Sequence, residues 1–438
     1  MAQVYPDFDA RLGLTALSRL RHRQSTAVGV GGTKDRNRIR DLRASVCIEE
    51  GFRYVTLEGT SKIIDDQATA QAEIAALARR YHDVARAEEM ARDVLAPQDW
   101  VSLRLHPNRA AVHGFGGEEQ SVIVVLAGGV GGAKMAQGLQ AALPPGDLTV
   151  VVNTADDFEL YGLYISPDLD TVMYTLAGVA DPVNGWGVAG DTRNTLDAIA
   201  RYGEAPWFLL GDQDFATHIL RTERLRAGMP LSVVTRQLSG ALGIQSRIVP
   251  MTDDRVATLV ATPAGTLEFQ DYFVGRRQSD EVLGVTFAGI ERATAHPHAL
   301  AAIREAYAVL IGPSNPIVSV APILATPGVR EVLAETAAPI VAISPIVGGH
   351  ALKGPAAQML ATLGHEVSAL GVARLYADLM DGFVIDEVDR ELEPAIELLG
   401  PRVLVTATVM GDEADRRRLA VEVLDFAALL ARERAVAR

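Results

Sequence analysis

From residue 122 onward, apolar runs of strand length alternate with amphipathic segments of helix length. Continuous apolar runs at 122–126, 148–152, 308–311, 339–343, 382–385 and 403–406 read as buried strands. Helical spacing recurs at 134–142, 192–202, 215–227, 232–242, 298–306, 327–335, 355–363, 368–376 and 412–434. This alternation predicts an α/β fold, a doubly wound and mostly parallel Rossmann-like sheet with helices on both faces. The stretch 245–289 differs, with short alternating runs (SRIVPM, VATLVAT, TLEFQDYFV) that predict a small antiparallel insertion. Upstream, 67–95 has the composition and spacing of a helix. A polar, glycine-bearing junction at 107–120 separates an N-terminal α+β extension (1–119) from the α/β region (120–438).

The first apolar run stops at four glycines, Gly128, Gly129, Gly131 and Gly132, with Lys134 just beyond. Strand, glycine turn and helix set backbone N–H groups and a helix N-terminus against a phosphate. A dinucleotide fingerprint started at Gly129 and Gly131 puts its third position on Lys134, too bulky for close helix–strand packing. The second run ends at Asn153, not at an acid for a ribose hydroxyl. A Walker A loop fails on spacing and on the missing Lys-Ser/Thr pair. A less common anion cradle and a plain strand–helix turn remain.

Carboxylates follow in NTADD and SPDLDT: Asp156, Asp157, Asp168 and Asp170. Asp157, Asp168 and Asp170 are hard oxygen ligands suited to a divalent cation. Asp168 and Asp170 stand two apart, and an extended backbone would aim both to one side. The rival reading makes one of them the cap of a helix starting near Thr171. In LGDQDFATH, Asp212, Asp214 and His218 surround a helix start, with Asp214 a candidate N-cap and His218 structural unless a partner orients it. IGPSNPIVS puts Ser314 and Asn315 at the C-terminal edge of the sheet, in a loop stiffened by Pro313 and Pro316. It is a recognition loop or a turn without function. SPIVGGHALKGPA carries Gly348, Gly349, Gly354 and the cation Lys353, either a second anion site or a glycine-rich connection.

Charge narrows the partners. The chain of 438 residues has a net charge of −14, yet residues 1–119 balance 17 Lys/Arg against 17 Asp/Glu, so 120–438 carry the whole excess. An acidic α/β region argues against a nucleic-acid footprint and calls for countercharge, such as a metal, around an anionic substrate. The basic run from Arg11 to Arg43 reads either as a nucleic-acid arm or as a solvated lead. Cys47 is the sole cysteine, which excludes an intrachain disulfide and favours a reducing compartment. With no long apolar run and no signal-peptide pattern, the expectation is a soluble cytoplasmic protein without membrane contact.

Taken in series, LAGGVGGAK, NTADD, SPDLDTVMYTLAG, NGWGVAGDT, LGDQDFATH, TDD at 252–254, FQDYFVG, IGPSNPIVS and SPIVGGHALKGPA resemble the 2-phospho-L-lactate transferase family of deazaflavin coenzyme F-420 biosynthesis. The resemblance covers about 70% of the chain, from 122 to 426, and leaves 1–119 unassigned. It implies a phosphodiester-forming transferase with Mg2+ as cofactor. The donor would be GDP carrying a three-carbon acid on its outer phosphate (phospholactyl, enolpyruvyl or phosphoglyceryl). The acceptor would be the ribityl hydroxyl of Fo, 7,8-didemethyl-8-hydroxy-5-deazariboflavin, with GMP released.

On this reading Gly128, Gly129, Gly131 and Gly132 grip the diphosphate, with Lys134 a longer-range cation, and Asn153, Gly348 and Lys353 also lie on the substrate side. Asp157, Asp168 and Asp170 hold magnesium or orient the acceptor, Asp168 and Asp170 being the catalytic candidates and Asp170 the best contact to Fo. Ser314 and Asn315 fix the guanine nucleotide, while Asp212 and Asp214 are acceptor-side or structural. Partners are small molecules, and the assembly the reading allows is a homodimer. GGVGGAK looks bacterial whereas NTADD and SPDLDTV look archaeal, which leaves the donor acid open. A related branch that binds nucleotide sugars as a regulator is the main rival. It carries DDGGSSG where this chain reads ADDFELYG. A nicotinamide oxidoreductase is disfavoured by Lys134.

Overall fold

The computed structural model describes residues 122–437 and three strands further upstream. The chain divides into two compact units, Met1–Glu118 and Glu119–Arg438. In the first unit, Arg43–Glu50, Arg53–Ile64 and Ser102–His113 form an antiparallel sheet in sequence order. The helix expected over 67–95 and the basic run before Arg43 lie outside the described residues.

The second unit is built on seven parallel strands, numbered here β1 Ile123–Ala127, β2 Leu148–Val152, β3 Arg247–Pro250, β4 Ala308–Ile311, β5 Ile340–Ile343, β6 Gly382–Ile385 and β7 Arg402–Val405. Their order is β7-β6-β5-β4-β1-β2-β3, with every pairing parallel. Every residue of β1, β2, β4, β5 and β6 is buried, which is why they read as unbroken apolar runs. Chain order reverses at β1 and β4, so the loops that leave these two strands flank the crevice where open α/β sheets bind ligands.

Four helices matter for the site: α1 Gly129–Ala142, α2 Pro167–Leu176, α3 Asp212–Arg226 and α4 Glu413–Ala437. Helix α1 packs against α4 where Gly138 meets the Arg416 carbonyl, an approach a side chain would block. The expected antiparallel insertion is real but shorter. Its first run, Arg247–Pro250, pairs parallel with β2 and closes the main sheet, while Ala257–Thr262 pairs with Gly265–Glu268 and Gly284–Ala288. A four-residue edge strand is as short as a hairpin strand, so the length of the run could not separate them.

Candidate active site

The chain leaves β1 through Gly128 and enters α1 at Gly129, whose φ of +62° suits glycine. The loops on either side fit this turn tightly. A Cβ on Gly128 would collide with the Asp168 carboxylate and Ser319, one on Gly131 with the Pro313 carbonyl, and one on Gly132 with Ser314 Oγ and Ala127. Gly128 N–H donates to Ser314 Oγ at 3.1 Å and Gly129 N–H to Asp168 Oδ1 at 2.7 Å. Asn153, just past β2, donates from Nδ2 to Asp168 Oδ2 at 2.9 Å and to the Val318 carbonyl at 3.2 Å. Ser314, Asn153 and Asp168 therefore clamp the glycine turn from three elements. Two of its amides are engaged within the protein, and Gly128, Gly131 and Gly132 serve close packing as well as any anion.

Asp168 and Asp170 do not share a face. Pro167 occupies the first turn of α2, so both aspartates are helical. Two residues along a helix are about 200° apart, not on one side as an extended chain would place them. Nor does either cap the helix. The N-cap is Ser166, whose hydroxyl donates to Asp157 Oδ2 at 2.9 Å.

Asp156, Asp157 and Asp168 are all buried. Burial pushes the Asp157 carboxyl up to about 8, against the bond from Ser166 and the Arg221 charge. Burial likewise raises Asp168 to about 6 despite bonds from Asn153 and Gly129. Asp156, which accepts from Thr258 Oγ1 at 3.1 Å, is raised by burial and then by the Asp168 charge. Asp157 Oδ1 is also buried without a hydrogen-bond partner, a hard oxygen of the type a divalent cation takes.

Asp170 sits elsewhere. Both of its oxygens accept from the buried guanidinium of Arg221 on α3, Oδ2 at 2.9 Å. Burial works against the charged guanidinium, but the Asp170 charge and hydrogen bonds, with Asp157 and Tyr174, outweigh it and hold Arg221 firmly protonated. Asp214, His218 and Arg221 line one face of α3 at i, i+4 and i+7. His218 Nδ1 lies 3.7 Å from Asp170 and its Nε2 3.1 Å from Asp214, while Tyr174 on α2 donates to Asp214 at 2.6 Å. Burial favours a neutral Asp214, but His218, Tyr174 and Arg221 outweigh it and hold the carboxyl low. Asp170, Asp214 and His218 bring ligand atoms within 4.8 Å of one another, the spacing of a metal site. Yet the two imidazole nitrogens face different carboxylates, and a cation at Asp170 would have to displace a buried guanidinium. The network is an ion-paired seam between α2 and α3.

The other predicted residues are spread more widely. Asp214 is not the cap of α3. The N-cap is Gly211, and the Asp191 carboxylate serves the open amides of the first turn, accepting from Gln213 N at 2.9 Å and Asp214 N at 3.1 Å. Asp212 accepts from Thr192, Asn194 and Thr195 at the start of the helix Asn194–Arg201, and the Thr192 hydroxyl leads these bonds in holding its carboxyl low. Asn315 Oδ1 accepts from Ile317 N at 2.9 Å and fixes the turn after β4. Gly348, at φ +56°, donates to Asp389 at 3.0 Å. Lys353 donates to the Val183 and Asn184 carbonyls at 3.0 and 2.8 Å, and Lys134 to the Met410 carbonyl at 2.7 Å. Burial, then the Arg416 and Lys353 charges, lower the Lys134 amine. Sequence reasoning missed Ser166, Asp191, Arg221 and Asp389. Only Arg221 left a signal, its spacing from Asp214 and His218.

A parallel Rossmann-type sheet with a clamped glycine turn at its switch point and buried carboxylates beside it has the architecture of an α/β enzyme. Residues 123–424 match the family 2-phospho-L-lactate transferase CofD, and the chain belongs to that family of transferases. It is 44% identical over 311 residues to the phosphoenolpyruvate transferase of Streptomyces coelicolor, spanning 70% of this chain and 98% of that protein. It is 41% identical over 298 residues to the 2-phospho-L-lactate transferase of Methanosarcina mazei, spanning 68% and 98%. Among solved structures, a member of the UPF0052 family from Bacillus halodurans aligns with a TM-score of 0.48 at 14% identity, covering 70% of this chain and all of the other.

Proposed function

We propose that this protein is a cytoplasmic, magnesium-dependent transferase of coenzyme F-420 biosynthesis that moves a three-carbon phospho-acid from a GDP-linked donor to Fo. The acceptor's terminal ribityl oxygen bonds to the outer phosphorus. The bond from that phosphorus to the bridging oxygen breaks, GMP leaves, and the hydroxyl proton passes to solvent. The enolpyruvyl form is put first among the donors, because the Streptomyces phosphoenolpyruvate transferases match at 44–46% identity over 98% of their length. That match carries the reading.

Phosphoryl transfer asks for positioning and charge neutralisation more than for covalent help. On this reading Asp157 and Asp168 hold magnesium, whose charge offsets that of the diphosphate. The N-terminus of α1 faces the diphosphate, with Lys134 and Lys353 as flanking cations. Ser314 and Asn315 hold the nucleotide side through their fixed turn. The test is to incubate purified protein with Fo, magnesium and each of three GDP-linked donors, and to follow GMP and phosphorylated deazaflavin by chromatography. The enolpyruvyl donor should give the highest kcat/KM. Absence of product with all three donors, together with tight nucleotide-sugar binding, would sink the transferase reading.

A further inference from the structure

A polar cleft of about 390 Å³ lies between α1, the first turn of α4 and the residues that lead into β3, within the usual size of small-molecule sites. Gln137 and Gln140 form its α1 wall, roughly two and three turns from Gly129, or about 12–17 Å along the helix. Gln137 Nε2 donates to the Thr175 carbonyl at 3.0 Å and Gln140 Nε2 to the Leu176 carbonyl at 2.9 Å, both at the C-terminal end of α2. Gln137 Oε1 accepts from Arg416 Nη1 on α4, and Gln140 Oε1 from Ser246 Oγ at 2.8 Å. This wall therefore ties α1 to α2, to α4 and to the entry of β3. At the other end of the same helix pair, Asp168 of α2 accepts from Gly129 N–H at 2.7 Å. The cleft and the glycine turn are two ends of one α1–α2 contact.

The two glutamines of α1 are spent on this frame, and three other groups are left to meet a ligand. Among the described residues, the side chains of Glu413 and Gln245 make no hydrogen bond or ion pair, and Arg416 Nε is buried without a partner. Glu413 and Arg416 stand three apart in the first turn of α4, so they project from one face. A simple anion placed between them would be repelled by Glu413, and a simple cation by Arg416. A molecule carrying both charges on adjacent atoms satisfies both. We propose that this cleft is an effector site for a small zwitterion of the α-amino-acid class. Its carboxylate is taken by Arg416, its ammonium by Glu413, and its side chain is met by the Gln245 amide. A ligand seated there braces α1 against α4 and α2, and so favours the clamped form of the glycine turn at the far end of α1. The site is separate from the donor and acceptor assigned above.

The test uses the full-length protein. Thermal melting is followed with each proteinogenic amino acid at millimolar concentration, with succinate and putrescine as doubly anionic and doubly cationic controls. At least one amino acid should raise the midpoint in a dose-dependent way, and neither control should. Ala141 lies on the cleft wall in α1, and Ala141→Leu fills the space at little cost in helix propensity. It should abolish the shift, and Glu413→Gln should weaken the apparent affinity roughly tenfold. Calorimetry should show the same amino acid tightening GDP about fivefold in the wild type and leaving it unchanged in Ala141→Leu. If Ala141→Leu does not fold, Glu413→Gln, a change at an exposed side chain, decides alone. No shift with any amino acid, a shift with succinate or putrescine alone, or a shift that survives both substitutions overturns the site. Binding that leaves GDP affinity unmoved overturns the coupling through α1. A wild-type protein that does not bind GDP at all counts against the transferase reading, while the melting measurements still decide the cleft.

Discussion

Asp157 is buried with Ser166 as a hydrogen-bond partner, and burial holds its carboxyl near 8 in the folded protein. An unfolded chain returns it to about 4. The folded state thus binds the proton more tightly, so stability from this group is complete below about pH 4 and is lost as the pH rises through about 8. Asp157→Asn removes the burden of an ionised buried carboxylate. In the absence of divalent cations it should raise the thermal midpoint at pH 8.5 and change it little at pH 5. An equal shift at both pH values would show that burial is not the cause. Magnesium should stabilise the wild type at pH 8 through binding to the native state alone, and stabilise the Asn variant much less.

Helices α2 and α3 are joined by charge where most of the fold is joined by apolar contact. Removing one partner of such a buried pair leaves the other uncompensated, at a cost of about 3–5 kcal/mol, whereas replacing both by apolar groups is often nearly neutral. Arg221→Ala should therefore lose about that much stability in urea titrations, and Asp170→Leu combined with Arg221→Met should recover most of it. A loss under about 1 kcal/mol for Arg221→Ala would place the pair in a wetter environment than its 1% exposure indicates. This seam also marks what could be read from the chain. The apolar runs foretold the central strands because both faces of the sheet are covered. The clamp on the glycine turn was half legible: Gly128, Asn153, Asp168 and Ser314 stood out as residues, but nothing local said that they bond to one another. Asp168 and Asp170 were misjudged together, since Pro167 starting the helix reverses their relation. Long-range pairing such as Asp170 with Arg221, 51 residues apart, has no local signature.

At the scale of the whole chain, every group used to build the candidate site lies in the unit Glu119–Arg438, and the family match begins at 123. That unit contains all seven strands of the parallel sheet and α4, which packs on α1. Residues 120–438 also carry the entire −14 charge, while residues 1–119 are neutral and add no net field. A compact unit with its own hydrophobic core is expected to fold alone. A fragment spanning residues 120–438 should therefore unfold cooperatively and keep GDP affinity and transfer rate within about twofold of the full chain. Calorimetry and the GMP-release assay measure these quantities. If the fragment folds and binds GDP but its transfer rate collapses, residues 1–119 supply something to the reaction that the parallel sheet and its loops lack.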